Sequence, residues 1–173
     1  MTDKLVIALA QLNPTVGKIG ANFEKLREMR KKAAEEGADL ILTSELYTCG
    51  YPPEDLVRKP QFISSLRSAV EAFASETSDG GPAVLLGTPW VESDRLHNSL
   101  VLIEGGAITT ARHKYDLPNY GVFDEKRVFD PGPMPGPISF KDVRIGVPIC
   151  EDIWTPEVVE CITCLLYTSD AAD

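Results

Sequence analysis

Gly146-Val147-Pro148-Ile149-Cys150-Glu151-Asp152-Ile153-Trp154 joins an apolar, β-favouring run to a cysteine, two acids and a tryptophan. Thr155-Pro156-Glu157 follows and reads as a helix start. Thr155 stands as N-cap, Pro156 at the first helical position and Glu157 in the first turn. This order predicts a strand-to-helix turn with Cys150 on it. Such a turn holds a side chain raised and leaves backbone N–H groups free nearby, and a thiol nucleophile needs both. A small buried cysteine closing a strand is the other reading of the same residue.

Upstream of that turn, residues 138–140 and 143–149 predict the strand pair leading to Cys150. Residues 118–136 are irregular and proline-rich, too long for a plain connection, and read as a functional loop. Residues 96–103 and 107–112 predict a hairpin around Glu104-Gly105-Gly106. Residues 83–87 predict a strand, and Trp90-Val91-Glu92 a further one. Nearer the start, apolar residues 5–12 and 40–43 predict buried strands. Between them, 22–36 predicts a helix with Phe23, Leu26, Met29, Ala33 and Ala34 near one face. A second amphipathic helix is expected over 61–75, with Phe62, Leu66, Ala69, Val70 and Phe73 on one side. Alternating strands and helices imply a layered α/β fold.

The chain has 173 residues, enough for one domain with a real core. Its hydrophobic fraction is 43% and its charged fraction 25%, the balance of a globular protein. A formal net charge of -9 argues against nucleic acid or an anionic membrane as partner. No apolar run is long enough to span a bilayer, and no secretory signal is visible at the start. The four cysteines, 49, 150, 161 and 164, do not form a disulfide framework, so a reduced cytoplasmic setting is expected. Cys161-x-x-Cys164 lacks a partner pair or nearby histidines, which weakens a redox or metal reading.

Three polar residues stand at the ends of expected strands: Glu45, Lys114 and Cys150. Strand ends of an α/β fold converge on one rim, where sites are built. Together they make a coherent set. A carboxylate can take the thiol proton, an ammonium can stabilise thiolate and oxyanion, and the thiol can attack an acyl carbon. Spacing alone does not select Glu45 and Lys114 from the other acids and bases, for which a surface position or ordinary ion pair serves equally. A Cys–His arrangement with His97 or His113 is the competing constellation.

Three blocks carry a family resemblance: Ser44-Glu45-Leu46 with Cys49-Gly50-Tyr51-Pro52-Pro53-Glu54-Asp55-Leu56, then Lys114-Tyr115-Asp116-Leu117-Pro118-Asn119-Tyr120-Gly121-Val122-Phe123-Asp124-Glu125-Lys126-Arg127, then the Cys150 segment. Together they resemble the carbon–nitrogen hydrolase (nitrilase) superfamily, from about residue 4 to 162. Within it they resemble more closely the glutamine-hydrolysing amino-terminal domains of glutamine-dependent NAD synthetases. The resemblance implies an α-β-β-α sandwich, here incomplete. It implies Glu45 as base, Lys114 as oxyanion-side cation and Cys150 as nucleophile, with Glu125 positioning the set. Tyr51, Tyr120, Phe123 and Glu151 would lie near a glutamine pocket, with the Glu151 backbone N–H in the oxyanion hole and no metal required. Ammonia would pass to a synthetase domain that binds ATP and nicotinic acid adenine dinucleotide and makes NAD.

That synthetase domain is absent from these residues. Residues 1–163 are therefore expected to form part of a hydrolase domain, and 164–173 an unrelated or artefactual tail. For the full-length family enzyme the resemblance also implies a homo-oligomer. Two alternatives stand beside this reading. One is a stand-alone amidase acting on another amide. The other is an inactive fragment with only a binding or assembly role, poorly stable alone because half a sandwich exposes sheet edges and apolar faces.

Overall fold

The computed structural model describes residues 4–167. Three parallel strands open the sheet: β1 (Ile7–Ala10), β2 (Leu40–Thr43) and β3 (Ala83–Glu92). Helices α1 (Ile19–Glu35) and α2 (Pro60–Glu76) make the crossovers between them. β4 (Arg95–Glu104) and β5 (Ala107–His113) extend the sheet antiparallel, giving the order β1-β2-β3-β4-β5. A separate antiparallel pair, β6 (Ile138–Phe140) and β7 (Val143–Ile145), precedes α3 (Pro156–Tyr167).

The period-two pattern of the strands decides the layers. Ile41, Val84, Leu86, Val101 and Ile103 face α1 and α2, where they pack with Phe23, Leu26, Val70 and Phe73. Their alternating neighbours Leu40, Leu85, Leu100 and Leu102 face the other way, against Ile138, Phe140 and Ile149. So helices cover one side of the sheet, and the β6–β7 pair with the approach to Cys150 covers the other. Helix α3 packs beside that pair, for Ile162 approaches Gly146 so closely that a Cβ there would lie 2.5 Å away. This is the α-β-β-α layering in partial form. On the edge strand β1, Ile7 and Leu9 remain 43% and 67% exposed, an apolar edge of the kind that pairs with further chain.

Several boundaries differ from the sequence expectation. Residues 83–92 form one strand rather than two, and β3 runs through Pro89, opposite Asn98 of β4. The strand expected over 143–149 stops at Ile145, because Gly146 and Pro148 do not sustain ladder pairing. Cys150 opens a short 3-10 turn, Cys150–Trp154, before α3 begins. Thr155 does precede the helix, and its carbonyl accepts from the N–H groups of Val158 and Val159. Its hydroxyl, however, donates to Asp116 at 2.7 Å instead of capping the helix. Helix α3 continues through Cys161 and Cys164, both free thiols. Of the expected tail, residues 168–173 lie outside the described residues.

Candidate active site

Glu45 lies on the loop after β2, which crosses β3 at very short range. A Cβ on Gly87 would lie 2.2 Å from the Ser44 carbonyl oxygen, so only glycine permits the crossing. Polar contacts then pin the loop. The Thr48 N–H donates to the Gly87 carbonyl at 3.1 Å, the Gly87 N–H donates to the Thr43 hydroxyl at 2.9 Å, and the Tyr47 hydroxyl donates to the Asn22 carbonyl at 2.8 Å.

Lys114 directly follows β5. Its N–H donates to the Asn98 carbonyl at 2.8 Å, and its carbonyl accepts from the Gly132 N–H at 2.7 Å. Gly132 is fixed by the same crowding, since a Cβ there would lie 2.6 Å from that of His113.

Cys150 has a left-handed backbone, with φ of 48°. The turn behind it is held by Asp152, which is 1% exposed. Its Oδ2 accepts from the Ile149 N–H at 3.2 Å, and its Oδ1 from the Tyr115 and Asp116 N–H groups at 3.1 and 2.8 Å. One buried carboxylate thus ties the cysteine turn to the chain just after Lys114. The first N–H groups of such a turn have no acceptor within it, and those of Cys150 and Glu151 stand at its start.

These elements bring the three expected residues together. Lys114, fully buried, donates from Nζ to Glu45 Oε1 at 2.7 Å and to both carboxylate oxygens of Glu125 at 3.0 Å. Burial opposes its charge, but the two carboxylates outweigh it and hold the ammonium above the usual lysine range. Glu125 is pushed up by burial and by Glu45, and held back by Lys114. Burial and the neighbouring Glu45 push the Cys150 thiol up, while Lys114 pulls the other way. The Cys150 thiol is therefore neutral at rest, and any attack by its sulfur would need a base to remove the proton.

The auxiliary residues split into two groups. The Tyr51 hydroxyl donates to Glu125 at 3.2 Å. Tyr51, Phe123 and Glu125 line a pocket of about 30 Å³ beside the buried carboxylates, and Cys150 is not on its wall. Tyr120 donates to both carboxylate oxygens of Glu151 at 3.0 Å, at the exposed mouth next to Cys150. Its ring meets that of Phe123 edge-on, with centroids 5.6 Å apart.

Two further residues that the sequence patterns do not point to bond the site: Asn98 and Asp152. Asn98 sits in the buried polar run His97-Asn98-Ser99, which interrupts the apolar alternation of β4. That break in pattern was the available signal. Among the described residues, no three His, Cys, Asp or Glu side chains cluster to hold a metal ion.

The histidines engage each other and the wall behind Lys114. Their rings stack at 4.2 Å. His97 Nδ1 meets the Asp130 carbonyl at 2.8 Å, and His113 bonds the Ser99 hydroxyl at 2.7 Å and Glu92 at 3.0 Å. Neither bonds Cys150. Burial holds His113 below its ordinary value of 6.5, against the pull of Glu92. A folded-state value below the unfolded one means that stability is present above about pH 6.5 and is lost as pH falls. Urea midpoints are accordingly expected to fall below that pH, and His113→Gln to flatten the fall. Equal slopes in parent and variant would remove His113 from the acid response.

Comparison with known proteins shows the family and the fold. The carbon-nitrogen hydrolase family model matches residues 6–162. A glutamine-dependent NAD(+) synthetase from Rhodobacter capsulatus is 41% identical over 158 residues, which is 91% of this chain and 28% of that protein. The structure of glutamine-dependent NAD+ synthetase from Acinetobacter baumannii in complex with ADP superposes with a TM-score of 0.83 at 36% identity, covering 89% of this chain and 29% of that one. A mutant of the amidase from Nesterenkonia sp. AN1, showing Michael addition of acrylamide at its active site cysteine, superposes with a TM-score of 0.78 at 26% identity, covering 93% of this chain and 63% of that one. The chain thus spans under a third of the length of the synthetases it matches. Among the described residues no helix is long and apolar enough to cross a membrane.

Proposed function

The chain belongs to the carbon–nitrogen hydrolase family, and from that premise we propose that it is the glutamine-hydrolysing part of a glutamine-dependent NAD synthetase. The observation that supports this reading best is the buried Lys114 held between Glu45 and Glu125 beside the Cys150 thiol.

The reaction follows from that arrangement. Glutamine presents its side-chain amide to Cys150. Sulfur attacks the amide carbon as Glu45 takes the thiol proton, because the neutral thiol is a weak nucleophile. The tetrahedral oxyanion is met by Lys114 and by the free N–H at Glu151. Glu45 returns its proton to the leaving nitrogen, the C–N bond breaks and ammonia departs. Water, deprotonated by Glu45, then splits the thioester, giving glutamate and restoring the thiol. Glu125 and Tyr51 hold Lys114 in place, while Tyr120, Phe123 and Glu151 shape the mouth. ATP and nicotinic acid adenine dinucleotide would be bound outside these residues, in the part of the synthetase that uses the ammonia. Four free thiols suit a reducing, cytoplasmic setting.

A second reading, a stand-alone amidase on a smaller amide, is favoured by the likeness to the Nesterenkonia enzyme. Ammonia release from glutamine, compared with propionamide, separates the two. Glutamine is expected to be strongly preferred, and His97→Ala and His113→Ala are expected to retain turnover. Preference for propionamide would favour the second reading. Loss of turnover on a histidine change, with Glu45→Gln still active, would favour a Cys–His enzyme.

A further inference from the structure

We propose that Asn98 is a positioning residue for this site, its side-chain amide acting as the neutral clamp that bridges Glu45 and Glu125 and aims the base at Cys150. The proposal rests on the amide-hydrolysis reading above. Asn98 Nδ2 donates to Glu45 Oε1 at 2.7 Å and to Glu125 Oε2 at 3.2 Å. Glu45 Oε1 already accepts from Lys114 at 2.7 Å, so two donors converge on that single oxygen. This orientation leaves Glu45 Oε2 for the thiol. Glu125, whose Oε1 also accepts from Tyr51, is bonded by three donors in all.

Two carboxylates this close share one ammonium, which cannot neutralise both. An uncharged donor between them lowers their repulsion without adding a second positive charge, and leaves Lys114 as the cation for the oxyanion. The backbone of Asn98 is rigidly set. It pairs with Pro89 across the sheet, and its carbonyl accepts the Lys114 N–H at 2.8 Å.

The other end of the amide points the same way. Asn98 is fully buried, and its Oδ1 has no hydrogen-bond partner among the described residues. A rotated amide would set that oxygen against two carboxylates, so the neighbours determine which atom faces them. An apolar side chain at this position would avoid the orphaned acceptor altogether. The fold keeps an unpaired buried oxygen so that the NH₂ group reaches the acids.

The test is steady-state kinetics with glutamine in the full-length polypeptide that contains these residues. Asn98→Leu keeps the approximate shape and removes the donor. It is expected to lower kcat by about 10²-fold, the scale of a misplaced catalytic group, with KM little changed. The acid limb of the pH profile is expected to move up by about one pH unit. Glu125 faces Lys114, Glu45, Tyr51 and Asn98, with the Cys150 thiol nearby. Removing one donor lets it protonate at higher pH, and a protonated Glu125 releases its hold on Lys114.

Asn98→Asp is the second variant, equal in size but without the NH₂ donor. Its loss is expected to be deepest at high pH and to shrink toward acid, where its own carboxyl can donate. Unchanged kcat and pH limb in Asn98→Leu, with Cys150→Ala inactive, would overturn the clamp and leave the amidase reading standing. Turnover retained by Cys150→Ala would overturn both. If Asn98→Leu does not fold, the pH dependence of Asn98→Asp decides. If neither folds, Asn98 is a structural residue and the proposal fails.

Discussion

Cys150→Ala is expected to abolish ammonia release, by about 10⁴-fold or more, while leaving the fold intact. The size follows from the covalent route, since without sulfur no thioester forms and only bound water remains as nucleophile. The fold is expected to survive because Cys150 is exposed and alanine meets the same left-handed backbone that cysteine already tolerates. Glu45→Gln keeps the loop and the bond from Lys114 but cannot accept the thiol proton. It should lose about 10²–10⁴-fold. A second measurement separates chemistry from binding, namely peptide mapping after brief treatment with acrylamide. Cys49 is buried with its thiol pushed up to about 12, and should stay unmodified. Cys150 should alkylate, and more slowly in Glu45→Gln if the carboxylate is its base. Full turnover in Cys150→Ala would exclude the thioester. Equal alkylation with and without Glu45 would leave the thiol without its proposed base.

The layers were readable because strand alternation and helix periodicity both report a single buried face. Val84, Leu86, Val101 and Ile103 alternate with Leu85, Leu100 and Leu102, and the two sets separate onto the two sides of the sheet. Pro89 obscures the length of β3, since a proline inside a strand pattern argues for a break. Here β3 and β4 pair on both sides of it. The strand into Cys150 is shorter than its pattern for the opposite reason, because apolar character persists to Ile149 after ladder pairing has stopped at Ile145. Glu45, Lys114 and Cys150 were legible as strand-end residues and through the family blocks. That they meet was not legible from spacing, because the loop crossing at Gly87 and the contact at Gly132 depend on shape. The roles of Asn98 and Asp152 are not legible in the sequence because each depends on at least one partner distant along the chain. Asn98 joins Glu45 to Glu125, and Asp152 joins Ile149 to Tyr115 and Asp116. Local patterns carry no record of such partners.

Lys114→Met should cost about 3–5 kcal/mol of stability as well as activity, because it removes one side of a buried ion cluster and strands the other. Lys114 is fully buried, and the side chains of Glu45 and Glu125 are only 17% and 6% exposed. Without the ammonium, two acids face each other with only Asn98 and Tyr51 to donate. Glu125 is already pushed up by burial and by Glu45 while Lys114 holds it back, so it must rise further in the variant. A carboxyl whose folded-state value lies above its unfolded one stabilises fully at low pH and loses that contribution as pH rises through the folded value. Urea unfolding at pH 5 and pH 8 should therefore show the larger deficit at pH 8. Adding Glu125→Gln to Lys114→Met removes the stranded charge and should restore most of the stability without restoring turnover. If the deficit is the same at both pH values and the double variant is no more stable than the single, the loss comes from packing around the lysine stem. The two carboxylates would then not depend on Lys114, and the electrostatic account of the site would fail with them. Recovery of stability in the double variant would assign Lys114 the role of the counterion that lets two acids be buried together.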